Sequence, residues 1–222
     1  MSSWPRTVHH GRIDLAVHEV RPGSGRPLLL LHGLGERTPE SAPAVLDGWT
    51  GPVLGLDFTG HGRSTVPVGG GYSAEILLGD VDAVLAEVGE VSILGRGLGA
   101  YVGLLAAGAR AALVHGVVLA DGPGLHGGGT QPPSPAFAVP HAALGAGPPD
   151  PWATLELARD IRPPDYALTY LRFALERSPL CEPVIVTASL RPDWLAAVVD
   201  DPEVVVTTPA DAVARLAAAV PR

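Results

Sequence analysis

Short apolar runs recur along the chain, and the first of them is bounded by Pro27 and by His32-Gly33. Runs of this length and composition predict strands that are buried on both faces of a sheet. They cover residues 28–31, 53–56, 91–94, 114–120, 184–186 and 204–206. Before them, Ile13, Leu15, Val17 and Val20 mark one strand or a strand pair around the Gly11-Arg12 turn.

Segments with helical periodicity lie between the apolar runs. Leu77, Val81, Val84, Leu85 and Val88 follow helical spacing, and a similar stripe of Val213, Leu216 and Val220 comes last. Thr208, Pro209 and Asp211 supply a capping residue, a first-turn proline and a first-turn carboxylate for that final helix. Alternating strands and helices predict one α/β domain, residues 1–222, with a mostly parallel, doubly wound sheet of about eight strands.

One stretch interrupts the alternation. Half of the thirty residues from 122 to 151 are Gly or Pro, a composition that sustains neither helix nor strand. Two helices are expected after it, at 152–160 and 165–178. We therefore predict a lid or cap insertion at 122–180, after the sixth strand and within the single domain.

Composition excludes several classes of function. The 222 residues have a net charge of −8, and the chain has no basic run or stripe of the kind that nucleic-acid-binding proteins use. Cys181 is the single cysteine, which excludes an internal disulfide and a multi-thiolate metal cluster. No apolar run approaches the length of a membrane helix. We expect a cytoplasmic protein that binds a small molecule, without membrane or nucleic-acid partners, metal or cofactor.

Three motifs follow successive predicted strands. They read His32-Gly33-Leu34-Gly35, then Asp57-Phe58-Thr59-Gly60-His61-Gly62-Arg63-Ser64, then Gly95-Arg96-Gly97-Leu98-Gly99 at the start of a helix. In this order and spacing, the chain resembles the α/β-hydrolase superfamily, in its esterase and lactonase-like branch. The resemblance covers essentially the whole chain and implies the α/β-hydrolase fold, with the insertion where that family places its cap.

The resemblance implies an oxyanion hole, a pair of backbone N–H groups that bind the negatively charged oxygen of a reacting ester. Carried over to this sequence, the two donors are the N–H groups of Leu34 and Leu98. The binding residues implied for a carbonyl or carboxylate ligand are His32, Gly33, Leu34, Arg96, Gly97 and Leu98. For His32 and His61, hydrogen bonds that hold the loops in shape are expected rather than proton transfer. Arg96 could meet an anionic ligand or pair with a surface carboxylate.

The chain departs from the family pattern at the nucleophile. The family has G-x-S-x-G at this turn, whereas Gly97 occupies the nucleophile position and has no side chain. Covalent catalysis at this position is therefore excluded. Glycine adopts the strained backbone of such a turn at little cost, so the fold itself should persist.

The remaining catalytic positions differ as well. The family's general-base histidine follows the last strand, but this chain continues from the 204–206 run through Thr207 and Thr208 into the final helix, and no histidine follows His141. Asp193 and Asp121 are the candidates for the triad acid, and either could instead be structural. His126 and His141 are candidates for a displaced base.

Several functions remain open at this point. The expected function is a catalytically impaired pseudo-hydrolase that keeps an oxyanion-hole-like site. The alternatives are an ester or lactone hydrolase or proton-transfer enzyme that uses a displaced histidine, and a protein-interaction scaffold. A further alternative is an NAD(P)-binding protein, because Gly95-x-Gly97-x-x-Ala100 fits the dinucleotide fingerprint and Asp121 ends the next strand.

Overall fold

The computed structural model describes residues 5–128 and 147–219. Eight strands in these ranges form one sheet. They are β1 (Arg6–His10), β2 (Ile13–Arg21), β3 (Leu28–Leu31), β4 (Val53–Leu56), β5 (Val91–Arg96), β6 (Val114–Ala120), β7 (Val184–Val186) and β8 (Val205–Val206). The apolar runs therefore predicted six strands closely, and the alternating N-terminal stretch is the β1–β2 pair.

The sheet has the order β1-β2-β4-β3-β5-β6-β7-β8. β2 pairs antiparallel with both β1 and β4, and every other pairing is parallel. The predicted fold class, a mostly parallel eight-stranded α/β sheet, is confirmed. Because β3 to β8 run in the same direction, the loops that follow β3, β4, β5, β6 and β7 meet at one edge of the sheet.

Helices cover both faces of the sheet. They are α1 (Ala74–Val88), α2 (Leu98–Ala109), α3 (Pro151–Arg159), α4 (Pro164–Arg177), α5 (Asp193–Val199) and α6 (Pro209–Ala218), with a short 3-10 helix at Ala44–Leu46. Apolar side chains of α1 to α5 pack in one large core on one face. Residues of α6 and of the 3-10 helix pack in a second core on the other face.

β3 shows how sequence alternation produces the two cores. Leu29 and Leu31 pack on the side of α1 and α2, whereas Leu28 and Leu30 pack on the side of α6. All four leucines are buried, because neighbouring side chains of a strand point to opposite faces and both faces are covered here. A run of four leucines thus predicts a central strand rather than an edge strand.

The last helix begins as its sequence predicted. The Thr208 hydroxyl accepts a hydrogen bond from Asp211 N–H, and Pro209 occupies the first turn. α5 was not predicted as an element, because seven residues are too few for a helical period to stand out. Asp193, one of the two candidates for the triad acid, is its first residue.

The proposed insertion is described only in part, since residues 129–146 lie outside the described ranges. Hydrogen bonds join α3 to the loop before α1. Glu156 of α3 accepts from the N–H groups of Gly71 and Tyr72, each at 2.7 Å. Asp150, which caps α3, accepts from the Tyr72 hydroxyl at 2.6 Å. α4 packs against α2 and α5. None of the helices in the described ranges is long and apolar enough to cross a membrane.

Candidate functional site

The turn between β5 and α2 is built from glycine. Gly97 has φ of +58° and ψ of −121°, a conformation that residues with a side chain rarely adopt. Its N–H donates to Ala120 O at 3.0 Å, which ties the turn to the end of β6. A side chain at Gly99 would overlap the backbone of Leu31. The sharp strand-turn-helix geometry therefore depends on these glycines.

The two predicted oxyanion-hole donors converge on one oxygen atom. Leu34 N–H and Leu98 N–H both donate to the carbonyl oxygen of Pro123, each at 2.9 Å. Two N–H groups that share one acceptor have the geometry expected for an oxyanion hole. The acceptor here is part of the chain itself.

The expectation of an oxyanion hole open to a ligand therefore needs correction. A Cβ atom on Gly97 would overlap Pro123 O and the carbonyl carbon of Gly122, and a Cβ on Gly33 would lie 3.0 Å from Pro123 O. The Pro123 carbonyl thus fills both the oxyanion position and the space of a nucleophile side chain. The physical reason is hydrogen-bond satisfaction, because unpaired buried N–H groups are costly and the chain supplies their acceptor.

The segment that supplies this oxygen is a turn at residues 122–125, closed by a hydrogen bond from Leu125 N–H to Gly122 O at 3.3 Å. Leu125 O accepts from Arg162 Nη1 at 2.8 Å and from Trp194 Nε1 at 2.8 Å. Arg162 Nη1 also donates to Gly124 O. Side chains from the α3–α4 link and from α5 thus hold the 122–125 turn in place.

His32 is a buried structural residue in the loop after β3. Its Nδ1 lies 2.8 Å from Gly33 O, and its Nε2 accepts from Phe58 N–H at 3.1 Å. This pairing assigns the neutral form with the proton on Nδ1. Burial, reinforced by the neighbouring His61, lowers the pKa of His32 to about 4. A neutral imidazole with both nitrogens occupied is not free to act as a general base.

His61 is bonded in the same way from the loop after β4. Its Nδ1 lies 3.1 Å from Thr59 O, and its Nε2 accepts from Gly35 N–H at 3.3 Å. Burial lowers its pKa below the usual value. The two imidazoles, with ring centroids 5.1 Å apart, therefore bridge the first two motif loops by hydrogen bonds.

Asp57, the first residue of the second motif, organises the same loops. Its carboxylate accepts from Thr38 N–H and Arg63 N–H, each at 2.8 Å, and from His18 Nε2 at 2.9 Å. Burial alone would raise the pKa of Asp57, but these hydrogen bonds outweigh burial and lower it. Asp57 is thus a buried, ionised anchor for both loops.

Arg96 pairs with a carboxylate of its own chain. Its Nη2 lies 3.2 Å from Glu36 Oε1, and Glu36 Oε2 also accepts from Gly33 N–H at 2.9 Å. Arg96 and His32 border a cavity of about 260 Å³ whose apolar lining includes Leu30 and Leu94. Leu34, Gly97 and Leu98 do not line this cavity, so it lies beside the oxyanion position rather than over it.

Both candidate acids lie at the surface. Asp121 accepts from Ser189 N–H at 2.7 Å and from Leu190 N–H at 3.0 Å, and so supports the loop after β7. Asp193 is exposed at the start of α5. In the connection between β8 and α6, where the family has its base, the residues are Thr207 and Thr208.

The structure describes one of the two candidates for a displaced base. His126 is exposed and borders a cavity of about 310 Å³, together with Arg162 and Asp193. His141 lies outside the described residues. Within the described ranges no cluster of three or more His, Cys, Asp or Glu side chains could hold a metal ion.

At the dinucleotide fingerprint, two N–H groups at the start of α2 are already bonded within the chain. The N–H groups at the start of α2 that would face a pyrophosphate are those of Gly97 and Leu98, and both already donate to carbonyl oxygens, those of Ala120 and Pro123. Asp121, which ends the strand after the fingerprint, bonds to the loop after β7.

Sequence reasoning did not identify Pro123, Arg162 and Trp194 as part of the site. The local signal available was the Gly-Pro-Gly triplet at 122–124, directly after β6. Such a triplet predicts a tight turn. It does not show which way the carbonyl groups of that turn point.

An eight-stranded, mostly parallel sheet with a sharp strand-turn-helix after β5 defines a protein of the α/β-hydrolase fold. A scan of family models finds no match. Among curated proteins, the soluble epoxide hydrolase of Corynebacterium sp. (strain C12) is 32% identical over 163 residues, which are 70% of this chain and 56% of that protein. The chain thus spans little more than half the length of this relative.

Solved structures give similar neighbours. An E-2-(acetamidomethylene)succinate hydrolase is 30% identical with a TM-score of 0.43, covering 51% of this chain and 42% of that one. An epoxide hydrolase from Vigna radiata is 25% identical with a TM-score of 0.44, covering 53% of this chain and 39% of that one. On its sheet, its motif loops and its curated relative, the chain belongs to the α/β-hydrolase superfamily.

Proposed function

We propose that this chain is a pseudo-hydrolase, a superfamily member that has lost nucleophilic hydrolysis and acts by binding. The observation that supports this most strongly is the Pro123 carbonyl oxygen, which accepts from both Leu34 N–H and Leu98 N–H over a nucleophile position held by Gly97. A substrate carbonyl needs those two donors free, and an acyl intermediate needs a side chain at residue 97.

The other catalytic functions lack support in the described residues. A general base must reach the proton that it removes and is normally oriented by a second group. His32 and His61 have both ring nitrogens engaged by backbone groups, and Thr207 and Thr208 follow β8. Asp121 accepts instead from Ser189 N–H and Leu190 N–H, and Asp193 lies on the same cavity as the exposed His126, whose role the histidine variant below tests.

The proposal is tested by assaying the chain against p-nitrophenyl acetate and p-nitrophenyl butyrate. An epoxide such as styrene oxide is added because the curated relative is named an epoxide hydrolase. We expect rates equal to those in buffer. Turnover well above buffer that persists after repeated purification would overturn the proposal.

A double variant, His126→Gln with His141→Gln, is measured in parallel. If the wild type turned substrate over and this variant did not, the alternative of a displaced histidine base would replace the pseudo-hydrolase proposal. We expect no difference between the two proteins. A Gly97→Ser variant should also stay inactive, because the new hydroxyl would have no base and would compete with Pro123 O for space.

A further inference from the structure

Arg162 is a buried cation that makes no direct salt bridge in the described part of the chain. Its exposed fraction is 4%, and it lies in the link between α3 and α4. The guanidinium packs over the Tyr101 ring, 4.9 Å from the ring centroid, and Nη1 donates to main-chain carbonyl groups. The nearby carboxylate of Asp160 accepts instead from Ala74 N–H at 2.9 Å. Asp160 attracts the guanidinium without bonding to it, and burying a charge without a hydrogen-bonded counter-charge is costly.

The unused donors of Arg162 lie on one edge of the guanidinium. Nε and Nη2 have no hydrogen-bond acceptor among the described residues. An N–H of each projects from the same edge in parallel, and this pair is a fork that binds two oxygens of a carboxylate or phosphate. Nη1, on the other side, is already engaged. The two donors that suit an oxyanion are thus unpaired but buried, with the Gly127 main chain beside them.

Space and further positive charge adjoin this guanidinium. Arg162 borders a cavity of about 310 Å³ together with His126, Arg191 and Asp193. This volume is in the range of small-molecule sites. Gly127 also borders the cavity, and a Cβ there would lie 2.7 Å from Arg162 Nε and from Asp160 O, so the Gly127 main chain packs closely against that edge. Of the three charged side chains, two are arginines and one is Asp193.

We propose that this cavity is a binding site for a small molecule bearing a carboxylate or phosphate group. Its binding shifts the Gly127 main chain so that two oxygens of the group meet the Nε and Nη2 edge of Arg162, and Arg191 adds attraction from the cavity wall. The site is separate from the Gly97 turn. The proposed binding site can be tested independently of the pseudo-hydrolase proposal, because its test measures binding and not turnover.

Burial lowers the pKa of Arg162 to about 10, so the side chain remains protonated at neutral pH. Binding of an anion would also bear on the 122–125 turn, because Nη1 of the same guanidinium holds Leu125 O at 2.8 Å. A bound oxyanion would fix the plane of the guanidinium and thereby stabilise the turn that presents Pro123 O.

The test measures thermal unfolding and heats of binding with sodium phosphate and with sodium succinate, against sodium chloride at equal ionic strength. We expect saturable binding of phosphate or succinate, with a rise in melting temperature that chloride does not give. The oxyanion that binds more tightly identifies the ligand class. Arg162→Gln should weaken binding by about tenfold or more. Absence of saturable binding by both oxyanions, or equal binding by this variant, would overturn the proposal.

Two further variants decide the matter if Arg162→Gln fails to fold. Asp193→Asn removes the one carboxylate on the cavity wall and should tighten binding by about threefold, whereas Arg191→Gln should weaken it by a similar factor. Asp200→Asn, at the other end of α5 and outside the cavity lining, is the matched control and should leave affinity unchanged. Equal affinities for Asp193→Asn and Asp200→Asn would contradict the site.

Discussion

The main-chain N–H groups of Leu34 and Leu98 meet at a single acceptor, the Pro123 carbonyl oxygen, at 2.9 Å each. Leu34 belongs to the loop after β3, and Leu98 begins α2. One oxygen from the loop after β6 therefore joins three segments that are distant in sequence. In a catalytic oxyanion hole these donors are free to bind a substrate oxygen, whereas here their hydrogen bonds stabilise the fold.

We predict that Gly97→Ala destabilises the protein by about 2–5 kcal/mol. A side chain in this left-handed backbone costs about 1–2 kcal/mol, and overlap with the Pro123 carbonyl group adds about 1–3 kcal/mol. The free energy of unfolding is obtained from urea titration followed by tryptophan fluorescence.

Gly11→Ala is the matched control for that measurement. Gly11 has φ of +62°, but a Cβ there would have no neighbouring atom within 4 Å. The expected loss is the backbone cost alone, about 1 kcal/mol. Equal losses for the two variants would show that Pro123 O moves aside freely and does not occupy the site firmly.

The strands and the turn were predictable from the sequence because their signals are local. Leu28 to Leu31 are uniformly apolar. Gly97 permits a backbone that few other residues adopt, and Gly95 and Gly99 leave room for the neighbouring main chain. Thr208 likewise marks the start of α6 by its own side chain. Each of these inferences needs only a residue and its near neighbours in sequence.

The contents of the site were not predictable in the same way. A main-chain carbonyl has no residue-type signature, so Pro123 O could not be distinguished from any other loop oxygen. In the sequence, Arg162 is an ordinary charged residue between two helices. In the structure it is buried, and its guanidinium packs over Tyr101 of α2. These features depend on contacts between segments far apart in sequence, and hydropathy or motif spacing contains no information on them.

His32 should make stability depend on pH between about 4 and 6.5. Its pKa is about 4 in the folded protein, against the ordinary histidine value of 6.5 in an unfolded chain, so in this range the unfolded state binds the additional proton. Stability from this group is therefore complete above pH 6.5 and is lost progressively as the pH falls toward 4. The loss amounts to about 3 kcal/mol.

The variant His32→Gln tests this dependence by urea unfolding at a series of pH values. It should be less stable at neutral pH, where it loses the bonds to Gly33 O and Phe58 N–H, but its stability should fall less on acidification. Some fall will remain, because burial also lowers the pKa of His61. His9→Gln, at an exposed position, should parallel the wild type. If the unfolding free energy of His32→Gln fell with pH as steeply as that of the wild type, His32 would not be the source of the pH dependence.

Thr208→Ala should cost about 1 kcal/mol of unfolding free energy, because the cap to Asp211 N–H is lost. Thr208→Ser retains a hydroxyl at the same position and should recover most of that stability. If serine gave no recovery, the Thr208 methyl group rather than its hydroxyl would account for the effect. Urea titration of the three proteins provides the comparison.

Glu156 gives a test of how firmly α3 is attached to the domain. Its Oε2 accepts from both Gly71 N–H and Tyr72 N–H at 2.7 Å, and these two amides have no other acceptor among the described residues. In Glu156→Ala, hydrogen exchange at residues 71 and 72 should therefore accelerate by about tenfold or more, since a charged hydrogen bond contributes about 1.5–3 kcal/mol. Glu176→Ala, an exposed position on α4, should leave these amides unchanged. Unchanged exchange in Glu156→Ala would mean that the Tyr72–Asp150 hydrogen bond holds the loop against α3 without the help of Glu156.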